Sequence, residues 1–180
     1  MNRIIDPPSK NECIRLMEKY EMLPNIRAHS IKVCEISMIV ASAINDSGGT
    51  VDCQLVTAGA LLHDITKTQC IKTHENHAKT GEHLLCSLGY PKTARIVAEH
   101  IIPKNNSGTL SPSEIVAYAD KRVLHDNVVS LEARFQYLEE TYGRHKQAMV
   151  YFSKMRQSMD VIEVRIVKAT HRSIDDLIPV

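Results

Sequence analysis

The chain has 180 residues and a net charge of +1, enough length for one domain with a sizeable core and no broad basic field for nucleic acid. Aromatic residues make up 4% and tryptophan is absent, which argues against a surface on which bases stack. Five cysteines, an odd number without CxxC spacing, exclude a disulfide framework or zinc ribbon and fit reduced thiols in a cytoplasmic protein. The stretch Met1–Pro8 lacks the apolar run of a signal peptide. The most apolar stretch, Ile31 to Ile44, contains Lys32 and Glu35 and is too short to span a bilayer, so no membrane association is expected.

Taken in order, Ser9-Lys10-Asn11-Glu12 reads as a capping box opening a helix to about Tyr20. Pro24-Asn25 breaks the chain, and a long helix runs from about Ile26 to Asn45, stopping at Gly48-Gly49. Val51 to His63 is an almost wholly apolar helix, and hence central. Thr66 to Thr73 reads as a polar loop, with Thr73 or His74 starting the next helix, which stops at Gly89-Tyr90-Pro91. Lys92 to Ile102 is a further helix, followed by a loop with Pro103, Asn105, Asn106 and Gly108. Ser111-Pro112-Ser113-Glu114 is a second capping box with proline at the first helical position, and its helix is expected to reach about His125. Ser130 to Tyr142 is another helix, closed by Gly143. A more polar helix from about Arg144 to Thr170 and a short turn after Ser173 complete the chain. No strand pattern, internal repeat or linker stands out, so an all-α, single compact domain over residues 1–180 is expected.

The nine histidines separate by helical face. His29 lies in the stripe Ile26, Val33, Ile36 and Val40. His63 falls two turns after Val56, next to Asp64. His77 shares a face with Gly81, Leu84 and Leu88; His100 shares one with Ile96 and Val97. Asp120 interrupts an apolar stripe between Val116 and Val123. His83, His125, His145 and His171 read as solvated surface histidines, and His74 as a helix start. Inward polar groups on separate helices are costly to bury one by one, and one shared site would satisfy all of them. Six potential ligands exceed the four of a structural zinc site, which points to two metals, or to one metal with extra groups facing a substrate. Imidazole and carboxylate ligands without thiolate suit a divalent ion such as Fe, Mn, Co, Ni, Zn or Mg, and select poorly among them.

In this order, His29, His63-Asp64, His77, His100 and Asp120, the sequence resembles the HD superfamily of metal-dependent phosphohydrolases. The resemblance runs from about residue 25 to 143, with the C-terminal helix of about 144–170 added to that core. His77-x-x-x-Gly81 looks like the helix after the family's His-Asp turn, and Ala119-Asp120-Lys121 looks like its last metal-binding motif. The family pattern implies one ion on His29, His63, Asp64 and Asp120 and a second on His77, His100 and Asp64. Many members carry His-Asp-Ile-Gly-Lys; here Thr66 replaces the glycine and Lys67 is kept. The two extra histidines resemble the branch with bacterial dinucleoside-tetraphosphate hydrolases and cyclic-dinucleotide phosphodiesterases. Gly89-Tyr90-Pro91 is a helix stop, out of place for the Gly-Tyr-Pro signature of the latter. The stretch Tyr118–Phe135 looks like small stand-alone bacterial members.

The resemblance implies hydrolysis of a phosphate ester or phosphoanhydride, with a nucleotide as the expected small-molecule substrate and room for a homodimer. Asp64 and Lys67 are the expected catalytic pair, with Lys67, Lys104 and Lys121 as candidate phosphate contacts. Alternatives are a catalytically silent metal- or nucleotide-binding regulatory module, a metal-free helical interaction protein, and an oxygenase on the same scaffold.

Overall fold

The computed structural model describes residues 6–104 and 108–180. The stretch Met1–Ile5 and residues 105–107 of the loop after Pro103 lie outside the described residues.

Helix α1, Lys10–Lys19, starts where Ser9 Oγ accepts from the Glu12 N–H at 3.2 Å, and it buries Cys13, Leu16 and Met17. Helix α2, Pro24–Asp46, opens on its proline instead of being broken by it, because a first-turn N–H has no helical partner to lose. Its expected stripe is buried: Ile26, His29, Val33, Ile36 and Val40 all face inward. Asn45 clamps the turn that follows, accepting from the Val51 N–H at 2.7 Å and donating to the Val51 carbonyl at 3.0 Å.

Helix α3, Cys53–Leu62, is capped by Asp52 and forms the centre, packing on α1 and α2 and on two later helices, α6 (Pro91–Glu99) and α7 (Pro112–Lys121). Helix α4, Lys67–Thr73, stands where a polar loop was expected. The segment is polar because Cys70 is its one buried residue, and an exposed helix shows little apolar periodicity. His74 ends α4 in a left-handed conformation at φ 60° and does not start the next helix. That start belongs to Asn76, whose side chain accepts from the Lys79 N–H at 3.0 Å at the head of α5, His77–Ser87. Helix α6, Pro91–Glu99, is shorter than expected and leaves His100 as its C-cap. Asp6 caps its first turn, accepting from the Lys92 N–H at 2.6 Å.

Helix α7, Pro112–Lys121, carries the full capping box of Ser111 and Glu114. It stops four residues before His125, because the chain turns into a small antiparallel hairpin that the sequence reading did not anticipate. Strand β1, Val123–Leu124, pairs with β2, Asn127–Val128, in the register Val123 to Val128 and Leu124 to Asn127. His125, in the two-residue turn, has φ 57°. Helix α8, Leu131–Tyr142, is capped by Ser130 and packs on the long α9, Lys146–Thr170. A last turn, α10, spans Ile174–Leu177. The architecture is all-α apart from the two-residue strands. Among the described residues no helix is long and apolar enough to cross a membrane.

Two glycines set the packing beneath the site. A Cβ on Gly59 of α3 would meet Ile96 Cγ2 at 2.6 Å, and one on Gly81 of α5 would meet Val97 Cγ1 at 2.7 Å. Both positions let α6 approach closely, which brings His100 to the core.

Candidate metal centre

Five segments send polar side chains to one buried place. His29 comes from α2, His63 and Asp64 from the turn after α3, His77 from the start of α5, His100 from the end of α6, and Asp120 from the last turn of α7. All are buried except His77, which is half-buried. Asp64 is the hub. Its Oδ2 lies 3.4 Å from His63 Nε2, and its Oδ1 lies 3.3 Å from His77 Nε2 and 3.9 Å from His100 Nε2. Asp120 Oδ1 lies 2.9 Å from His29 Nε2 and 3.8 Å from His63 Nε2.

The ring orientations follow from the backbone. Nδ1 of His29 donates to the His125 carbonyl at 2.7 Å, that of His63 to the Ala60 carbonyl at 2.8 Å, and that of His100 to the Val97 carbonyl at 2.7 Å. A carbonyl only accepts, so each Nδ1 carries a proton and each Nε2 is turned to the centre. The left-handed turn at His125 supplies one of those carbonyls.

This centre fits a cation. His63 Nε2 and Asp64 Oδ1 are buried with no hydrogen-bond partner, and each such atom costs about 1–3 kcal/mol when left alone. His77 Nε2 and His100 Nε2 also face each other, at 3.3 Å. Such contacts are relieved by a shared positive ion, and oxygen or imidazole ligands held about 2.0–2.2 Å from one ion stand at about this mutual spacing. His29, His63 and Asp64 form one group that could hold a metal; Asp64, His77 and His100 form another.

Electrostatics point the same way. Burial alone would raise the Asp64 pKa, but His63 and Lys67 outweigh it and hold the carboxyl well below its usual range. Burial would likewise raise Asp120, and Lys121 and His29 reverse that. Burial and His63 push His100 down to about 3, and burial lowers His77, so both rings are neutral at neutral pH. For His63, burial works downward, and the adjacent Asp64 more than offsets it.

The lysines divide. Lys67 Nζ donates to Asp64 Oδ2 at 2.7 Å from the rim of the site. Lys121, a candidate phosphate contact in the sequence, is buried and ion-paired with Asp120 at the end of α7. Lys104 is exposed. Thr66, in place of the family's glycine, has φ −99°, a conformation that needs no glycine, and its hydroxyl donates to the His77 carbonyl at 2.8 Å. His83, His145 and His171 are exposed as expected. His125 is exposed too, but on the hairpin turn.

A cavity of about 350 Å³ opens onto this cluster, with His29, Asp64 and Lys67 among its walls. Neither Lys104 nor Lys121 lines it. Residues without an assigned role in the sequence reading do: Ile71 of α4, Leu124 and His125 of the hairpin, and Arg134, Tyr137, Leu138 and Tyr142 of α8. The signal for the last four is their spacing of i, i+3, i+4 and i+8, one face of α8.

The HD domain family model matches residues 26–170, from the first turn of α2 to the end of α9. The chain belongs to the HD domain family. HD domains bind divalent metals, and the His and Asp groups described above are of the kind that could hold them. The chain is 28% identical over 137 residues to an uncharacterized protein of Methanocaldococcus jannaschii, an alignment that covers 67% of this chain and 79% of that protein. It is 31% identical over 140 residues to the tRNA (cytidine(56)-2'-O)-methyltransferase of Thermoplasma volcanium. That second alignment covers 69% of this HD domain chain but 39% of the methyltransferase. No solved structure matches the chain.

Proposed function

We propose that this HD domain is a metal-dependent hydrolase of a phosphate ester or phosphoanhydride, with a nucleotide as substrate. The observation that carries the reading is the meeting of one carboxylate, Asp64, with the imidazoles of His63, His77 and His100 at a cavity that also presents Lys67. His29, His63, Asp64 and Asp120 would hold one ion, and Asp64, His77 and His100 a second. A divalent ion held there acidifies a water and polarises a phosphoryl oxygen.

The chain's own groups have separate parts. Asp64, kept ionised by His63 and Lys67, is a weak base and a strong acceptor, so it orients the attacking water. Lys67, on the rim, offsets charge gathering on the phosphoryl oxygens. Lys121 matches the charge of Asp120 from the buried side. Each carboxylate thus has a lysine beside it, and the site opposes an incoming anion with no spare negative charge. The cavity volume falls in the range of small-molecule sites, which supports a mononucleotide-sized substrate.

A screen of nucleotides and phosphate esters against protein loaded in turn with Mn, Fe, Co, Ni or Mg tests this. Turnover that disappears on chelation and in Asp64→Asn is the expected result. Nucleotide binding without turnover in every metal would replace the hydrolase with a silent regulatory module. Protein that takes up none of these metals at micromolar levels would remove the reading altogether.

A further inference from the structure

The α8 wall of the cavity carries a cation with no anionic partner. The other basic groups near the centre are engaged: Lys67 with Asp64, Lys121 with Asp120, and Arg122 with the Val129 and Ile178 carbonyls. Arg134 lines the cavity, yet among the described residues its guanidinium forms no ion pair, and its Nε is buried without a hydrogen-bond partner. Its guanidinium carbon lies 5.9 Å from the ring centre of Tyr137, which also lines the cavity, and Tyr137 in turn meets the His125 ring edge-on at 5.9 Å. Arg134 and Lys67 share one space: burial and the Arg134 charge both work to lower the Lys67 pKa, and Asp64 outweighs them.

An orphaned guanidinium fork facing a cavity selects its ligand by chemistry. It offers parallel N–H donors and a full positive charge, which match two oxygens of a carboxylate or phosphate. Resting on the hydrolase reading above, we propose that Arg134 anchors the non-reacting oxygens of a terminal phosphate, so that the site takes phosphomonoesters in preference to phosphodiesters. A terminal phosphate carries a second negative charge for Arg134 to match. A diester has one charge and places an ester arm where the fork would close.

The probes are inorganic phosphate, para-nitrophenyl phosphate and bis(para-nitrophenyl) phosphate, used with full-length metal-loaded protein. Phosphate binding is read by calorimetry, and turnover on the two esters is compared. In Arg134→Gln, phosphate affinity should fall and KM for the monoester should rise by roughly tenfold to a hundredfold, the size of a lost charged hydrogen bond. The value of kcat should change far less, and metal content should stay the same. Arg134→Lys should recover part of the affinity, because it restores charge without the fork. It also decides the matter if Arg134→Gln does not fold, since a lysine with undiminished affinity overturns the anchor. Unchanged phosphate affinity in Arg134→Gln, no phosphate binding by wild type, or faster turnover of the diester would each overturn it as well. If wild type hydrolyses no ester while its phosphate binding still depends on Arg134, the anchor stands and the hydrolase reading falls.

Discussion

Asp64 touches more of the centre than any other side chain, with three imidazoles and Lys67 around one carboxylate. Replacing it with asparagine keeps the volume and removes the charge. Turnover should fall by about a thousandfold or more, with loss of bound metal. His83→Ala, on the exposed face of α5, should leave both unchanged. Equal effects of the two substitutions in a metal assay and a rate assay would refute the placement. The neighbouring His100 gives a prediction on pH. Its folded pKa is pushed down to about 3, whereas a free histidine titrates near 6.5. Between those values the unfolded chain binds a proton that the folded chain refuses, so this residue makes stability rise with pH. The contribution of His100 to the stability of metal-free wild type should therefore fall as pH drops below about 6.5. Metal-free His100→Asn should lose less, by up to about 1.4 kcal/mol per pH unit. Urea unfolding at pH 7 and pH 5 measures both slopes, and parallel slopes would show that His100 is not held neutral.

At the level of elements, α5 and α6 pack as a unit that carries His77 and His100, the candidate ligands surplus to the first group. His77→Ala and His100→Ala should each lower metal content by about one equivalent and leave one ion in place, because His29, His63, Asp64 and Asp120 remain. If the two histidines served only substrate, wild type would hold one ion and the substitutions would raise KM alone. The unit is seated by Gly59. Gly59→Ala puts a methyl 2.6 Å from Ile96 Cγ2 and should cost about 1–3 kcal/mol by overpacking, read as a lower urea midpoint. Gly59→Ala with Ile96→Val should recover part of that loss; the same loss in both would mean that contact is not the cause. These elements differed in how plainly they could be read. Ser9, Ser111 and Ser130 announce their helices because a side-chain cap is a local interaction, and His29 and Asp120 interrupt apolar stripes that period alone reveals. Helix α4 carries no helical period in its sequence because it buries only Cys70. The end of α7 is not marked locally, because the hairpin from Val123 to Val128 is fixed by distant partners, including His29 on the His125 carbonyl. The burial of Lys121 and the cavity wall on α8 depend on the same long-range packing, which no local pattern records.

For the molecule as a whole, the candidate centre and the C-terminal helices are joined through α7. Arg122 follows the Asp120-Lys121 pair and is buried, donating to the Val129 carbonyl at 2.7 Å, the Tyr118 hydroxyl at 3.0 Å and the Ile178 carbonyl at 3.1 Å. Tyr118 in turn donates to Glu163 of α9 at 2.5 Å. This network ties α7, the hairpin, α9 and the chain end together without any metal, so the fold should survive metal removal in weakened form. The weakening has a definite source. The candidate ligands come from α2, the turn after α3, α5, α6 and α7, and an ion bound only by the folded state cross-links all of them. Free metal at a hundred times its dissociation constant adds about 2.7 kcal/mol to stability. In a chain of this size that is roughly 5–10 °C in Tm. Chelation of the wild-type protein should therefore lower Tm by about that amount, and restored Mn or Co should return it. The same treatment should move Asp64→Asn little, since that variant has lost the group shared by both sites. His77→Ala, keeping one ion, should show a smaller but definite shift. A wild-type Tm indifferent to chelator, measured on protein shown to have held metal, would mean that the ion sits elsewhere than among these five segments.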